Sequence, residues 1–168
     1  LRKLLPEAGF IAEEGSAAYS DETYCWVVDP LDGTTNYIHD NAPYCVSIAL
    51  RDKQSLLLGV VYEPCRDECF YAWKGGGAYV NGERLRVSLV SELKDAFVVT
   101  ELPYNFEQYA RTGEHLIHEL YGKVAGIRMN GSAALALCYV AAGRFDAWLE
   151  AFIGKWDFSA AALMVLEA

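Results

Sequence analysis

The rhythm of apolar and polar positions changes once along this chain, around Ser91 to Asp95. Before that point, short apolar runs rich in β-branched and aromatic residues are separated by turn residues, the pattern of strands. Phe10-Ile11 leads one short strand, and Trp26-Val27-Val28 reads as a buried one. Tyr44 to Leu50 alternates, Leu56 to Tyr62 is apolar and β-rich, and Cys69 to Trp73 forms a further strand. Gly75-Gly76-Gly77 reads as a turn and Ala17 to Thr23 as a polar loop. Asn81-Gly82, between Tyr79-Val80 and Leu85 to Val87, is a hairpin signal because both residues tolerate positive φ.

Beyond that point strands and helices alternate. Phe97 to Thr100 reads as a strand, and the spacing of Tyr109, Leu116, Ile117 and Leu120 predicts a helix over 106–121. Ile127 to Met129 is a short strand, and Ala133 to Ala142 an Ala-rich helix stopped by Gly143. Phe145 to Leu149 is a strand, and a helix runs from Trp156 onward. The expected organisation is an antiparallel-sheet α+β part over 1–92 and an α/β part over 93–168. Leu1 to Ala8 reads as the last turns of a helix that Gly9 ends, and the final helix has no terminator, so the chain reads as truncated at both ends.

Composition narrows the field. In 168 residues, 53% are hydrophobic and 13% aromatic, enough for a well-packed globule. A net charge of −9 with no basic run argues against direct nucleic-acid binding. No signal peptide and no apolar run long enough to cross a membrane is present, so a cytoplasmic location is expected. The odd, scattered set of five cysteines suits reduced thiols better than a disulfide framework. Cys65 and Cys69 lack the second Cys pair or nearby His that would complete a zinc site.

The candidate chemistry concentrates in Trp26 to Asn36. Pro30 biases Asp29 toward an extended conformation and is expected to end the strand, placing Asp29 and Asp32 on a tight loop. Gly33 lets the backbone approach a ligand closely. Thr34, Thr35 and Asn36 offer capping side chains and free N–H groups, which suit an anion. One loop thus carries hard oxygen ligands for a cation beside a cradle for an anion. That pairing suits a phosphate held through magnesium. A merely capped turn is the alternative reading of an isolated Asp-Gly-Thr, but the string here is longer and has partners elsewhere in the chain.

Asp29-Pro30-Leu31-Asp32-Gly33-Thr34-Thr35-Asn36 resembles the central motif of the inositol monophosphatase family, magnesium-dependent and lithium-sensitive sugar phosphatases. Ile11-Ala12-Glu13-Glu14-Gly15-Ser16 resembles the family's preceding Gly-Glu-Glu-Ser element, with Ala12 in place of its Gly and Gly15 intruding before Ser16. Trp156-Asp157-Phe158-Ser159-Ala160-Ala161 resembles its later Trp-Asp-x-x-Ala element. The resemblance implies a layered αβαβα sandwich. It also implies family segments beyond both ends, helices and a further Asp in front and closing strands behind, to which nothing here corresponds.

The same resemblance implies a ligand set for two to three Mg²⁺ ions: Glu13, Asp29 and the Leu31 carbonyl for one, and Asp29, Asp32 and Asp157 for a second. A third, weaker ion would rest on Glu13 and water. It further implies attack by water on phosphorus with no phospho-enzyme, Glu13 and Thr34 acting on that water, and Gly33 and Thr34 N–H groups on the phosphate. Asp32 and Asp157 would lie against the substrate as well. Gly131-Ser132-Ala133 resembles the family's polyol-contacting loop, and Glu150 stands before Trp156-Asp157 at the family's spacing. A carboxylate suits a polyol because it only accepts hydrogen bonds. Solvation is the alternative for Glu150, and Glu14 is either a supporting acid or solvated. Arg128 and Arg144 read as surface charges, with assistance to an anionic substrate as the alternative, and His115 and His118 share one helix face without a third metal ligand. No role is assigned to His39.

The expected activity is hydrolysis of inositol monophosphate or a similar sugar or polyol phosphate. Fructose bisphosphate and 3'-phosphoadenosine 5'-phosphate are alternative substrates that related enzymes use. A non-catalytic partner-binding protein on the same scaffold is the competing class, since related bacterial proteins contact the transcription machinery. Family members often pair, so a homodimer is an open expectation.

Overall fold

In the computed structural model, which describes residues 1–14, 22–102 and 106–168, two sheets enclose a pair of helices. The first sheet has seven strands in sequence order: β1 (Gly9–Ala12), β2 (Tyr24–Asp32), β3 (Cys45–Asp52), β4 (Leu56–Glu63), β5 (Glu68–Trp73), β6 (Gly77–Val80) and β7 (Glu83–Arg84). All neighbours are antiparallel except β1 and β2. The second sheet is parallel and three-stranded, in the order β10 (Ala147–Leu149), β8 (Phe97–Thr100), β9 (Gly126–Arg128). The helices are α1 (Thr34–Ile38), α2 (Phe106–Leu120), α3 (Ala133–Ala141) and α4 (Lys155–Glu167).

Period-two alternation decides which face of the first sheet is inside. Cys45, Ala49, Val61, Phe70, Ala72 and Ala78 point inward and are buried against Leu135, Cys138, Ala160 and Met164 of α3 and α4. Both helices are apolar nearly all round, as befits helices covered on two sides. The second sheet repeats the logic on a smaller scale. Val98 of β8 faces Leu116 and Leu120 of α2, while Trp148 of β10 packs toward the larger core. The layers among the described residues therefore run sheet, helix pair, sheet, helix. This is the expected α+β sandwich, antiparallel-rich in its first half and α/β in its second. Among the described residues, no helix is long and apolar enough to cross a membrane, and all five cysteines are free thiols.

Three elements depart from the sequence expectation. Leu1 to Ala8 forms turns rather than a helix, with Leu4 and Leu5 N–H groups bonding the Leu1 carbonyl. Pro6 has no N–H to continue the ladder, and Gly9 opens β1 instead of ending a helix. The hairpin at Asn81-Gly82 forms, with φ of 48° and 91°, but its second strand is only Glu83–Arg84. Leu85 still donates to the Ala78 carbonyl before the chain leaves the sheet. The third departure matters most: β2 does not stop at Pro30 but continues to Asp32. The polar loop expected over Ala17 to Thr23 lies mostly outside the described residues, as does Ser16.

Helix α4 lies directly on β4 because Gly59 has no side chain. A Cβ there would sit 2.4 Å from the Ala160 carbonyl oxygen. Backbone cannot yield as a flexible side chain can, so Gly59→Val must push α4 off the sheet. Overpacking of this kind costs roughly 1–3 kcal/mol or more. Urea denaturation of Gly59→Val should show a loss of about that size, and an unchanged midpoint would contradict the packing described.

Candidate metal and phosphate site

Asp29 and Asp32 are an odd number of residues apart, so an ideal strand would send their side chains to opposite faces. A bulge in β2 prevents this. Asp29 pairs with Ser47 and Asp32 with Cys45, so three steps on β2 match two on β3. Both partners are buried on the inner face, and both carboxylates therefore enter the same cleft. Pro30, which cannot donate to a ladder, occupies the bulge.

Each acid is pinned by one backbone N–H. Asp29 Oδ1 accepts from Leu31 N at 2.9 Å, closing the bulge on itself. Asp32 Oδ2 sits at the start of α3 and accepts from Ala134 N at 2.8 Å and Ser132 Oγ at 2.6 Å. Asp157, in the first turn of α4, accepts from Gly154 N at 2.6 Å. One oxygen from each of Asp29, Asp32 and Asp157 comes within 4.8 Å of the others. Glu13 follows β1, its N–H donating to the Val28 carbonyl, and lines the same cavity outside that tight trio. Glu14 is exposed and does not line it.

The cavity is about 350 Å³, and its described lining contains no Lys or Arg. Its electrostatics follow from that absence. Burial pushes the Asp29 carboxyl up to about 7, against the Leu31 N–H, with Asp32, Glu13 and Asp157 adding repulsion. Burial also raises Asp32, against its Ser132 and Ala134 donors. Asp157 is pushed up to about 6 by burial, against the Gly154 N–H and with repulsion from Asp32 and Glu13.

Beside the acids lies a backbone cradle. Gly33 has φ of 89°, and a Cβ there would come 2.9 Å from the Pro43 carbonyl. It precedes α1, whose first turn has no side-chain cap, and Gly33, Thr34 and Thr35 line the cavity. The Thr34 hydroxyl donates to the Leu31 carbonyl at 2.9 Å, so two predicted groups are already joined.

The far end of the cavity is lined by Gly131, Ala133, Glu101, Glu150 and Ala151 to Gly154. Glu150 is pushed up to about 7 by burial, with Glu101 adding repulsion and the Trp148 indole N–H opposing it, and its Oε2 is buried. Ser132 differs from its neighbours. It does not line the cavity, and its hydroxyl serves Asp32 and caps α3 through Leu135 N. Arg144 forms a two-pronged pair with Glu68 and lies over the Tyr139 ring, and Arg128 lies over Phe97, so neither reaches the cavity.

Two residues escaped the sequence reading. Glu101 Oε1 accepts from Asn130 N at 2.6 Å and Gly131 N at 2.7 Å, fixing the loop before α3. Its signal was its position just after a strand of the parallel sheet, where ligands gather in α/β folds. Asn36, read only as a capping residue, clamps three segments by donating to the Pro43 carbonyl at 2.8 Å and the Asn130 carbonyl at 2.7 Å.

This arrangement of bulged strand, acid trio and glycine cradle can be set beside known proteins. The sequence profile described as the inositol monophosphatase family matches residues 1–168, the whole chain. The chain belongs to the inositol monophosphatase family. Inositol-1-monophosphatase of Rhizobium meliloti is 42% identical over 173 residues, covering 100% of this chain and 64% of that protein. The Escherichia coli K12 protein named Nus factor SuhB is 44% identical over 169 residues, covering 100% of this chain and 63% of its own length. The crystal structure of the Bartonella henselae extragenic suppressor protein suhB superposes with a TM-score of 0.94 at 40% identity, over 99% of this chain and 64% of that one. The chain thus spans just under two thirds of the length of these inositol monophosphatase relatives.

The raised carboxyls imply a pH dependence for this family member. In the folded protein Asp29 and Asp157 hold protons up to about 7 and about 6, above the ordinary carboxylate value. The folded state therefore binds more protons than the unfolded state across that window, and stability falls as pH rises through it. In chelator, the thermal midpoint should drop between about pH 5 and about pH 8. Added Mg²⁺ should raise it more at the higher pH, where the acids are ionised. A flat profile in chelator, or equal rescue at both pH values, would contradict the burial and crowding of these acids.

Proposed function

We propose that this chain carries the catalytic core of a magnesium-dependent phosphomonoesterase acting on a sugar or polyol phosphate. The observation that carries the reading is the acid trio beside the Gly33–Thr35 backbone, in a cleft whose described lining has no basic side chain. An all-acidic cleft repels phosphate unless cations reverse its sign. The residues fit such cations. Three half-buried or buried carboxylates with oxygens within 4.8 Å, and a carbonyl at Leu31 on the same loop, form a hard-oxygen set of the kind Mg²⁺ takes. Asp29, Asp32, Asp157, the Leu31 carbonyl and Glu13 would hold the ions. Bound Mg²⁺ supplies positive charge against the phosphate oxygens and makes water a stronger nucleophile near neutral pH.

The chain's own groups divide the remaining work. Gly33 and Thr34 N–H groups bind the phosphate oxygens and stabilise the charge that develops on them. Glu13, at the exposed edge of the cavity, takes the proton from the attacking water. The Thr34 hydroxyl orients that water, using the oxygen lone pairs left free while it donates to Leu31. Glu150, held dry beside the cavity, accepts hydrogen bonds from hydroxyls of the leaving alcohol. Gly131 and Ala133 line that end, and Ser132 acts on it through Asp32.

Inositol monophosphate leads the substrate panel, with fructose bisphosphate and 3'-phosphoadenosine 5'-phosphate as alternatives. Asp32→Asn keeps the Ala134 and Ser132 contacts but removes a charge from the trio. Phosphate release should fall at least about 100-fold, near 2.7 kcal/mol of transition-state stabilisation, with the circular dichroism spectrum unchanged. Activity that survives excess chelator would overturn the metal reading. Glu150→Gln should change the ranking of the three substrates more than the Mg²⁺ requirement, and an unchanged ranking would remove Glu150 from the substrate site.

A second reading has one specific support: relatives at 44% identity carry the name of a factor, not of a hydrolase. On that reading the scaffold works through a protein surface, since a net charge of −9 opposes contact with a nucleic-acid backbone. Asp32→Asn separates the two readings, because a docking role does not require the trio.

A further inference from the structure

Phe152 is the most anomalous residue near the cavity. Its φ is 66°, in the left-handed region that bulky side chains rarely adopt. It is also 62% exposed, so burial does not repay the strained backbone. Yet the ring is held in place: it stacks on Tyr109 of α2 with centroids 3.4 Å apart and planes 15° from parallel. It lines the cavity two residues after Glu150, on the loop that joins β10 to α4. A strained, solvent-facing aromatic at the rim of a site, propped by a second ring, is a surface kept for something that docks on it.

We propose that Phe152 is the specificity-determining residue of this cavity, selecting phosphate esters of cyclic polyols over those of open-chain alcohols. The proposal rests on the phosphomonoesterase reading above. The lining beyond the acid trio combines two carboxylates, Glu101 and Glu150, with the rings of Phe152 and Trp156 and the apolar Ala151 and Ile153; of the two rings, only Phe152 sits on strained, left-handed backbone. A cyclic polyol matches both kinds of wall at once. Hydroxyls on its edge donate to the carboxylates, and the C–H groups on one face rest on the negative face of the ring. An open-chain alcohol has no rigid face to offer and must freeze its rotors to imitate one. A purine would also stack on Phe152, but it has no ring of hydroxyls to spread over Glu101 and Glu150 and sets several ring-nitrogen acceptors beside them.

The test compares the full-length protein with Phe152→Gly on inositol 1-phosphate, glycerol 2-phosphate and adenosine 2'-monophosphate. Glycine relaxes the left-handed backbone, so the variant should fold. Loss of one ring contact should lower kcat/KM for inositol 1-phosphate by about 3–10-fold, while glycerol 2-phosphate changes less than about twofold. Tyr109→Ala, which removes the prop without touching the cavity lining, should raise KM for inositol 1-phosphate with kcat nearly unchanged, and Tyr109→Phe should restore it. Equal losses on the cyclic and open-chain substrates, no loss on either, or a loss confined to the nucleotide would each overturn the proposal. Calorimetric titration with inositol 1-phosphate, with calcium in place of magnesium, separates this question from turnover. Weaker binding by Phe152→Gly than by the parent supports the role of Phe152 even if the parent releases no phosphate, a result that would sink the functional reading alone. Equal binding by the two, or none by the parent, sinks the role of Phe152.

Discussion

Burial of three crowded carboxyl groups in a cleft whose described lining holds no Lys or Arg is the constraint on which the architecture turns. Asp29, Asp32 and Asp157 come from one strand and one distant helix, yet their oxygens meet within 4.8 Å. A fold would not assemble them without offsetting contacts. The offset is local: each acid gives one oxygen to a backbone N–H, from the bulge at Leu31, the start of α3 or the start of α4. Those bonds hold the carboxylates in fixed positions, and a site fixed in this way would avoid reorganisation cost on binding the proposed cations. They do not offset the cost of burial, and the carboxyls of the trio are weaker acids than usual as a result, with mutual repulsion adding to the effect at Asp29 and Asp157.

Packing supplies the second requirement, that strand β2 and helix α4 stay in fixed relation. Helix α3 connects the layers: its first turn grips Asp32, and its body fills the core of the first sheet. Helix α4 is placed by the absence of a side chain at Gly59 and by the Ser47 hydroxyl, which donates to the Trp156 carbonyl at 3.3 Å. Asn36 and Glu101 then tie the glycine cradle and the loop before α3 to this frame. The cavity consequently has one end built from the bulged strand and α1, and another built from the carboxyl ends of β8 and β10. The first end carries the acid trio and the glycine backbone, and the second carries Glu101 and Glu150. Membership of the inositol monophosphatase family accords with the first end, while Phe152 gives the second end a character of its own.

Periodicity in the chain was enough to place nearly every strand and helix, because short β-branched runs and the 3.6-residue spacing report local burial directly. The motifs that resemble the family singled out Asp29, Asp32 and Asp157, which the fold brings together, and both sequence and fold comparisons agree on the family. What it could not determine was direction. Whether Asp29 and Asp32 share a face depends on one extra residue in a pairing between β2 and β3, and register is a property of two strands together. The quiet roles of Ser132, Asn36 and Glu101 depend on loops meeting across the molecule, so their residue types alone said little. The left-handed backbone at Phe152 is likewise invisible in the letters, because nothing about a phenylalanine announces positive φ. Chemistry was written locally along the chain; its convergence was decided only by long-range register and packing.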